Sequence, residues 1–308
     1  MPAVPKVEIR KVHTYTGHQD AVYTVVSGGK DELFYSAGGD GYVIEWDLNQ
    51  HENGRLIAKV PASVYALCYV PEIDVLIVGQ NYEGLHLIQL SDRTEVGSLK
   101  LNTLAIYDIK VYNGLILVAT AGGEFFIIDL KTLKILKKSI ISDQNLRTIL
   151  VVNDHECLVG TSDGHIVSID LYSYEIQDQT HAHDKSVFSL AHQAQDHVLI
   201  SGGRDARLKY WSVVGAELTL LESINAHMYA INEVVFSPDS QLLATASMDK
   251  TIKIWQYKER RLIKVIDKAR HGGHLTSVNK LLWTRFNNFL ISCSDDRSIS
   301  VWDINIAE

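Results

Sequence analysis

Residues 290–304 read LISCSDDRSISVWDI, and the same pattern occurs three times earlier in the chain. Each copy contains a short apolar strand, a tight turn that carries Asp, and a second strand of alternating polarity that reaches Trp. Alternation with a period of two around a polar turn is typical of a β-hairpin. The earlier copies are FYSAGGDGYVIEWDL at 34–48, LISGGRDARLKYWSV at 199–213 and LATASMDKTIKIWQY at 243–257. The pattern therefore predicts a protein built from repeated hairpins.

Three weaker copies fill the interval between residues 60 and 170, where strand lengths and turns persist while His and Trp are lost. Measured at the position of the Trp, successive units are 43, 39, 41, 42, 44 and 47 residues apart. Seven units of this length, each with four short strands, match the period of a β-propeller. The positions counted are Trp46, Gln89, Ile128, Ile169, Trp211, Trp255 and Trp302. The alignment of the weaker units is open by one or two positions.

The sequence resembles the WD40-repeat family, because Gly17 and His18 stand where the GH dipeptide of that family belongs. Trp46 with Asp47, and again Trp302 with Asp303, stand where its WD dipeptide belongs. The resemblance covers residues 7–304 and implies an all-β fold, a single seven-bladed WD40-type β-propeller that forms one domain over residues 1–308. The blades are expected at about 16–59, 60–100, 101–139, 140–180, 181–224, 225–267 and 268–304 together with 7–15.

The N-terminal segment is expected to close the ring. The chain stops six residues after Trp302, so the last blade lacks a fourth strand of its own. Residues 7–15 alternate in polarity like an outer strand, and pairing them with the last blade would cover its open edge.

Four blades carry His, a hydroxyl residue, Asp and Trp at fixed spacing, with the hydroxyl four residues before Asp and Trp six residues after it. Such a set can link a loop to two strands by hydrogen bonds. A nucleophilic triad uses the same residue types, but it needs an exposed nucleophile and oxyanion donors, whereas this set recurs four times beside Trp. We therefore expect structural tetrads, which are His18/Ser36/Asp40/Trp46, His183/Ser201/Asp205/Trp211, His227/Thr245/Asp249/Trp255 and His274/Ser292/Asp296/Trp302.

One position on the predicted inner strand, five residues after each tetrad His, is the candidate binding site. The resemblance to WD40 proteins implies that it lines the channel mouth on the top face, where partner side chains insert. Around the ring it is occupied by Tyr23, Tyr65, Tyr107, Arg147, Phe188, Asn232 and Asn279. Arg204, in the turn before Asp205, is expected to extend this surface. Aromatic residues with Arg are typical of binding hot spots, although the same rings could simply plug the channel. The charge preference of the site is open.

Composition narrows the range of partners. Lys and Arg number 29 against 37 Asp and Glu, and the formal net charge is −8, which disfavours nucleic acid and anionic membranes. No signal peptide or long apolar segment is evident, so a cytoplasmic protein, monomeric on its own, is expected. We expect no metal site among the His-rich loops, since zinc needs three or four convergent ligands, and no cofactor.

The function predicted from these patterns is an interaction scaffold, not an enzyme, that holds proteins or peptides on its top face. The alternative is a lactonase-like propeller hydrolase with a metal in its channel. Only Asn232 and Asn279 among the channel-mouth residues fit such a metal site.

Overall fold

The computed structural model describes residues 6–101 and 104–307, which are almost entirely β-strand and turn. The strands form seven antiparallel sheets of four strands each, as the repeat predicts. The N-terminal strand is β1 (Lys6–Thr16). Blade 1 contains β2 (Val22–Ser27), β3 (Leu33–Gly38), β4 (Tyr42–Asp47) and β5 (Gln50–Lys59), and blade 2 contains β6 (Val64–Val70), β7 (Val75–Gln80), β8 (Gly84–Gln89) and β9 (Thr94–Lys100). Blades 3 and 4 contain β10 (Ile106–Tyr112), β11 (Leu115–Thr120), β12 (Glu124–Asp129), β13 (Ile135–Ile140); β14 (Leu146–Asn153), β15 (Glu156–Thr161), β16 (His165–Asp170) and β17 (Ile176–His181).

Blades 5 to 7 repeat the same order of strands. They contain β18 (Val187–Gln193), β19 (Val198–Gly203), β20 (Arg207–Val214), β21 (Glu217–Asn225); β22 (Ile231–Phe236), β23 (Leu242–Ser247), β24 (Ile252–Gln256), β25 (Arg261–Ile266); β26 (Val278–Trp283), β27 (Leu290–Ser294) and β28 (Ser298–Ala307). One four-residue helix, α1 (Lys268–His271), precedes β26, and single 3-10 turns lie at Ala121–Gly123, Ala194–Asp196 and Phe286–Asn288. No helix in the described ranges is long and apolar enough to cross a bilayer.

Residue contacts divide the chain into two compact units. The four-sheet unit, Val60–Ile231, contains blades 2 to 5. The three-sheet unit, Met1–Lys59 with Asn232–Glu308, contains blades 1, 6 and 7, apart from Ile231 at the start of β22. Within the four-sheet unit, apolar clusters lie between consecutive blades, such as the one that joins Ile77 and Leu87 to Ile109 and Phe126. Both faces of the sheets of blades 3 and 4 are thus covered, as expected for strands with continuous apolar runs.

The predicted pairing of the N-terminal strand with the last blade is confirmed. Strand β1 lies antiparallel to β28, from Lys6 opposite Ala307 to Thr16 opposite Ser298. Val7 and Tyr15 are buried, and the Tyr15 hydroxyl donates to the carbonyl of Asp47 at 2.7 Å. The seventh sheet therefore has its outer strand from the opposite end of the chain.

The alignment of blade 2 differs from the prediction by one residue. In several blades the backbone amide two residues after the Trp position donates to the carbonyl of the residue just before the second strand, as Leu48 does to Glu32. In blade 2 the corresponding amide is that of Leu90, which bonds to Asp74. The Trp-equivalent residue is therefore Ile88, which is buried, and the prediction of Gln89 is wrong. The loop between β7 and β8 has three residues, like that between β3 and β4, so the one-residue difference arises because this blade has neither His nor Trp and the apolar pattern alone does not fix the alignment.

Candidate partner-binding site

Blade 5 shows how a tetrad is assembled. His183 lies in the loop before β18, and its Nδ1 is 2.8 Å from Oδ1 of Asp205 in the turn after β19. Its Nε2 is 2.8 Å from the Ser201 hydroxyl, which accepts a hydrogen bond from Nε1 of Trp211 at 2.9 Å. Because a carboxylate can only accept, Nδ1 of the neutral imidazole donates to Asp205 and Nε2 accepts the Ser201 proton. Loop, turn and two strands are thereby connected.

The same geometry recurs in the three-sheet unit. His18 and His274 each lie 3.0 Å from their Asp partner and 2.8 Å from their Ser partner. The matching Trp donates to that Ser at 2.7 Å in blade 1 and 2.8 Å in blade 7. In blade 6, Trp255 donates to Thr245 at 3.0 Å. Blades 1, 5 and 7 therefore repeat one polar arrangement.

Asp249 of blade 6 has hydrogen bonds within its own turn in addition to its predicted place in a tetrad. The sequence assigns its carboxylate to His227. Its Oδ1 accepts from the Thr251 hydroxyl at 2.6 Å and from the Thr251 amide at 3.0 Å, while the Asp249 amide donates to the Ser247 hydroxyl at 3.0 Å. A hydroxyl residue two positions after Asp lies close enough in a tight turn to bond its carboxylate. Asp249 is therefore a turn-forming residue, and its bond to His227 stays a prediction.

Burial decides what the tetrad residues can do. Ser36, Ser201 and Ser292 are each 0% exposed, so no substrate reaches their hydroxyl oxygens. Burial raises the pKa of Asp205, but the hydrogen bonds that its carboxylate accepts, first among them the one from His183, outweigh burial and hold the pKa below its ordinary value. Burial lowers the pKa of His18, and Asp40 only partly offsets this. These groups are fixed in the protonation states that the hydrogen bonds require, which suits a structural pin.

The inner strands carry a feature that the sequence did not reveal, a β-bulge at the candidate binding position. The pairing register shifts between the residues that flank this position in six blades. The bulged residues are Tyr23, Tyr65, Tyr107, Arg147, Phe188 and Asn279. Bulges redirect a side chain out of the regular alternation and are frequent next to functional sites.

In the four-sheet unit, four of these side chains form a continuous stack. The rings of Tyr65 and Tyr107 are stacked with centroids 5.6 Å apart and planes inclined by 24°. The guanidinium carbon of Arg147 lies 4.0 Å from the Tyr107 centroid and 4.8 Å from that of Phe188. All four side chains are partly exposed. We call this group, Tyr65, Tyr107, Arg147 and Phe188, the inner-strand stack.

Two further residues border the inner-strand stack. Tyr82, in the turn between β7 and β8, is 66% exposed, and its charge interaction with Tyr65 indicates that the two are close. Arg204 is exposed and lies near enough to Arg147 that its charge helps to lower the pKa of that guanidinium, after the larger effect of burial. Tyr82 was missed from the sequence, because the signal for it is only an aromatic residue in a turn of a weak repeat.

The remaining predicted site residues belong to the three-sheet unit. Asn232 donates to the Ser277 hydroxyl at 3.0 Å and to the carbonyl of Val278 at 2.8 Å. Asn279 donates to the carbonyl of Val22 at 2.9 Å and to Asp295 at 2.7 Å. These amides connect one blade to the next. Tyr23 is partly exposed at the bulge of β2.

Blades 2 to 4, which have no tetrad, contain polar connections of another kind. Asp108 is buried and accepts from the amide of Ile149 in the next blade at 2.7 Å. Asn81 likewise accepts from the amide of Ile106 at 2.9 Å. In blade 4, Ser142 stands where the tetrads have His and donates to Asp163 at 3.1 Å. A single Asp, Asn or Ser has no recognisable spacing, so these bonds have no sequence signature.

The described residues hold no group of three or more His, Cys, Asp or Glu side chains arranged for a metal ion. The candidate site therefore consists of aromatic rings, guanidinium groups and side-chain amides.

The structure is similar to the crystal structure of the WD40 beta propeller domain of Doa1, with a TM-score of 0.84 over 96% of each chain at 17% identity. The fold is that of a seven-bladed β-propeller. A family profile described as WD domain, G-beta repeat matches residues 9–47, 175–212, 218–256 and 266–303. The chain belongs to the WD40-repeat family. Each matched segment ends one residue after a tetrad Trp.

Curated relatives match with moderate identity. Probable cytosolic iron-sulfur protein assembly protein 1 of Kluyveromyces lactis is 31% identical over 137 residues, 41% of this chain and 41% of that protein. Transducin beta-like protein 3 of Rattus norvegicus is 32% identical over an alignment of 335 residues, 83% of this chain and 42% of that protein. Polyadenylation factor subunit 2 of Candida albicans is 25% identical over 109 residues, 34% of this chain and 20% of that protein. The chain spans less than half the length of each.

Proposed function

We propose that this chain is a protein-interaction scaffold and that the inner-strand stack is its binding surface for protein or peptide partners. The observation that carries the proposal is the stack itself: four bulged residues on four consecutive inner strands lie in ring and ring–cation contact while each stays partly exposed. Relatives in the same family have names that describe assembly and processing factors, which agrees with a role in complexes.

Chemistry supports binding at this place. Aromatic rings and Arg are the residue types that contribute most to protein interfaces, because they combine apolar area with directional polar groups. Rings held by their neighbours lose little further conformational freedom when a partner arrives. The exposed ring of Tyr82 adds apolar area at the edge of the stack. A surface of this composition suits one inserted side chain surrounded by backbone contacts.

A metal-dependent hydrolase has less support. That alternative depended on Asn232 and Asn279, and the amide nitrogens of both donate to groups of neighbouring blades. We therefore propose a non-enzymatic role. We further propose a cytoplasmic location and a monomeric state before partners bind, with proteins rather than nucleic acid or membranes as partners, in keeping with the net charge of −8.

The test compares partner recovery with folding. The variants Tyr65→Ala and Phe188→Ala shorten the stack at each end, and Tyr172→Ala is a control that removes an exposed aromatic ring from the opposite end of a blade in the same unit. Tagged proteins are used to capture partners from cells of the source organism, and bound proteins are quantified by mass spectrometry. Folding is followed by circular dichroism.

We expect Tyr65→Ala and Phe188→Ala to lose the partners that the wild-type protein and Tyr172→Ala retain, with all three variants folded. Folded stack variants that recover every partner would contradict the proposal and assign the stack to channel packing.

A further inference from the structure

We propose that Arg147 and Arg204 recognise a carboxylate, so that the partner segment bound at the inner-strand stack is an acidic peptide. This inference rests on the proposed function and adds the charge of the ligand, which the sequence left open. It follows from how Arg147 is surrounded, from the position of Arg204 and from the absence of an ion pair to either side chain among those that the structure describes.

The faces of the Arg147 guanidinium are already used. The centroids of the Tyr107 and Phe188 rings lie 4.0 Å and 4.8 Å from its central carbon. Stacking uses the faces of a planar guanidinium, whereas its five N–H groups point outward in the plane. The in-plane donors are the groups that a carboxylate or another fork-shaped oxyanion binds.

Neither Arg147 nor Arg204 forms an ion pair with any carboxylate among the side chains that the structure describes. Acidic side chains at the same strand ends have partners of their own: Glu83 accepts from Gln80, Asp163 from Ser142, and Asp205 from His183. A partly buried cation beside a second cation is unfavourable, because burial removes water and the two charges repel. The free protein thus carries a positive charge that its described residues do not neutralise.

A cationic ligand fits this arrangement poorly. Rings of Tyr and Phe attract cations, and an incoming Lys or Arg could in principle lie over them. Arg147 already occupies one face of the Tyr107 ring and one face of the Phe188 ring, and the positive charges of Arg147 and Arg204 would repel a second cation. A carboxylate between the two guanidinium groups would instead relieve their repulsion. The carboxylate can come from an Asp or Glu side chain or from a peptide C-terminus, and the experiment separates these sources.

The experiment selects from a random dodecapeptide library displayed on phage with purified wild-type protein, and the bound peptides are sequenced. We expect Asp and Glu to be enriched over the unselected library. Arg147→Met keeps a long side chain that can still contact both rings but removes the charge, and Arg204→Gln removes the second charge. The matched control is Arg93→Gln, which removes an exposed Arg from the turn between β8 and β9 at the opposite strand ends.

A selected peptide is then synthesised with fluorescein and its Kd is measured by anisotropy. Replacing its acidic residues with Gln or Asn, or the protein's Arg147 with Met, should weaken binding at least about tenfold, the effect of losing one hydrogen bond to a charged group. Arg93→Gln should leave the Kd unchanged. If amidation of the synthetic peptide's C-terminus alone weakens binding, the terminal carboxylate is the group recognised.

The possible failures are distinguishable. Selected peptides that are neutral or basic, and that lose binding in Phe188→Ala, would overturn the acidic ligand while leaving the proposed binding surface in place. Peptides whose binding is unaffected by Tyr65→Ala and Phe188→Ala, or no enrichment at all, would overturn the binding surface and the acidic ligand together. Unchanged affinity in Arg147→Met and Arg204→Gln for an acidic peptide would also reject the two arginines as its receptor.

Discussion

Blades 1, 5, 6 and 7 differ from blades 2, 3 and 4 in how their loops are attached to their strands. The first group carries the buried His–Ser–Asp–Trp sets or their Thr counterpart, and all four matched WD40 segments end in it. The second group uses single polar residues such as Asp108 and Asn81, and it supplies three of the four members of the inner-strand stack. The polar sets that maintain the fold and the residues proposed to bind partners are therefore mostly in different blades.

The same contrast exists at one backbone position. The bulged residue of blade 7, Asn279, is used for hydrogen bonds to a neighbouring blade and to Asp295. The bulged residues of blades 2 to 5 instead contact one another through rings and a guanidinium. The same β-bulge thus places a residue that connects blades in one unit and residues that form a partly exposed surface in the other. The residue type at the bulge, and not its position, therefore indicates its role.

The largest expected effect comes from removing residues 1 to 13. Most of β1 would be lost, the edge of β28 would be exposed along its length, and the buried side chain of Val7 would be missing from its apolar cluster. We expect loss of the folded monomer, measured by circular dichroism melting and size-exclusion chromatography. A truncated protein that stays monomeric with an unchanged Tm would contradict the role of β1.

The next effect separates a complete tetrad from a partial one within the four-sheet unit. Asp205→Ala should lower the free energy of unfolding by about 1 to 3 kcal/mol, because it leaves the buried His183 without its acceptor. Asp163 accepts hydrogen bonds from Thr161 and Ser142. Asp163→Ala should cost about 0.5 to 1 kcal/mol, since Thr161 can donate to the His165 carbonyl instead and the partly exposed Ser142 can bond to water. Urea denaturation measures both. Equal losses would show that completing the tetrad adds nothing.

A smaller effect appears in the dependence of stability on pH. Burial holds the pKa of His18 below 6.5 in the folded protein, so the unfolded chain binds more protons as the pH falls below about 6.5. Stability should therefore decline from pH 7 toward pH 5. Asp205 and Asp296 have lowered pKa values, so their contribution is lost only at lower pH, below about 3.8.

The variant His18→Gln checks this assignment. Its stability will be lower at every pH, but the slope of unfolding free energy against pH between 7 and 5 should be shallower than that of the wild-type protein. An unchanged slope would mean that other groups cause the acid sensitivity.

Much of the fold could be predicted because its signals are repeated. Four copies of one spacing identify strands, turns and the tetrads, and the alternation of residues 7–15 identifies the outer strand of the last blade. The alignment failed by one residue at Gln89, where the repeat has neither His nor Trp to anchor it. Apolar residues alone tolerate such a slip when both faces of a strand are buried. The turn bonds of Asp249 to Thr251 were missed because the repeat spacing counts only the four tetrad positions.

The candidate site was only partly predictable. The inner-strand position, defined by the tetrad His in blades 1, 5, 6 and 7 and carried to blades 2 to 4 by the repeat, identified the members of the stack, but the bulges that redirect them depend on pairing between strands and have no sequence signature. Whether Asn279 hydrogen-bonds to a neighbouring blade or faces a ligand also depends on distances that only the fold provides. Tyr82 was not predicted, because it lies in a turn for which the repeat pattern gives no signal.

The Kd of Phe188→Ala for a partner recovered by the wild-type protein, compared with the Kd of the control Tyr172→Ala, tests the central claim most directly. If the inner-strand stack is the binding surface, Phe188→Ala should raise the Kd about tenfold or more, while Tyr172→Ala keeps the wild-type Kd and both variants stay folded. If the stack is only a plug of the channel, both variants should bind the partner as the wild-type protein does. We predict the first result, and the second would contradict the proposed binding surface.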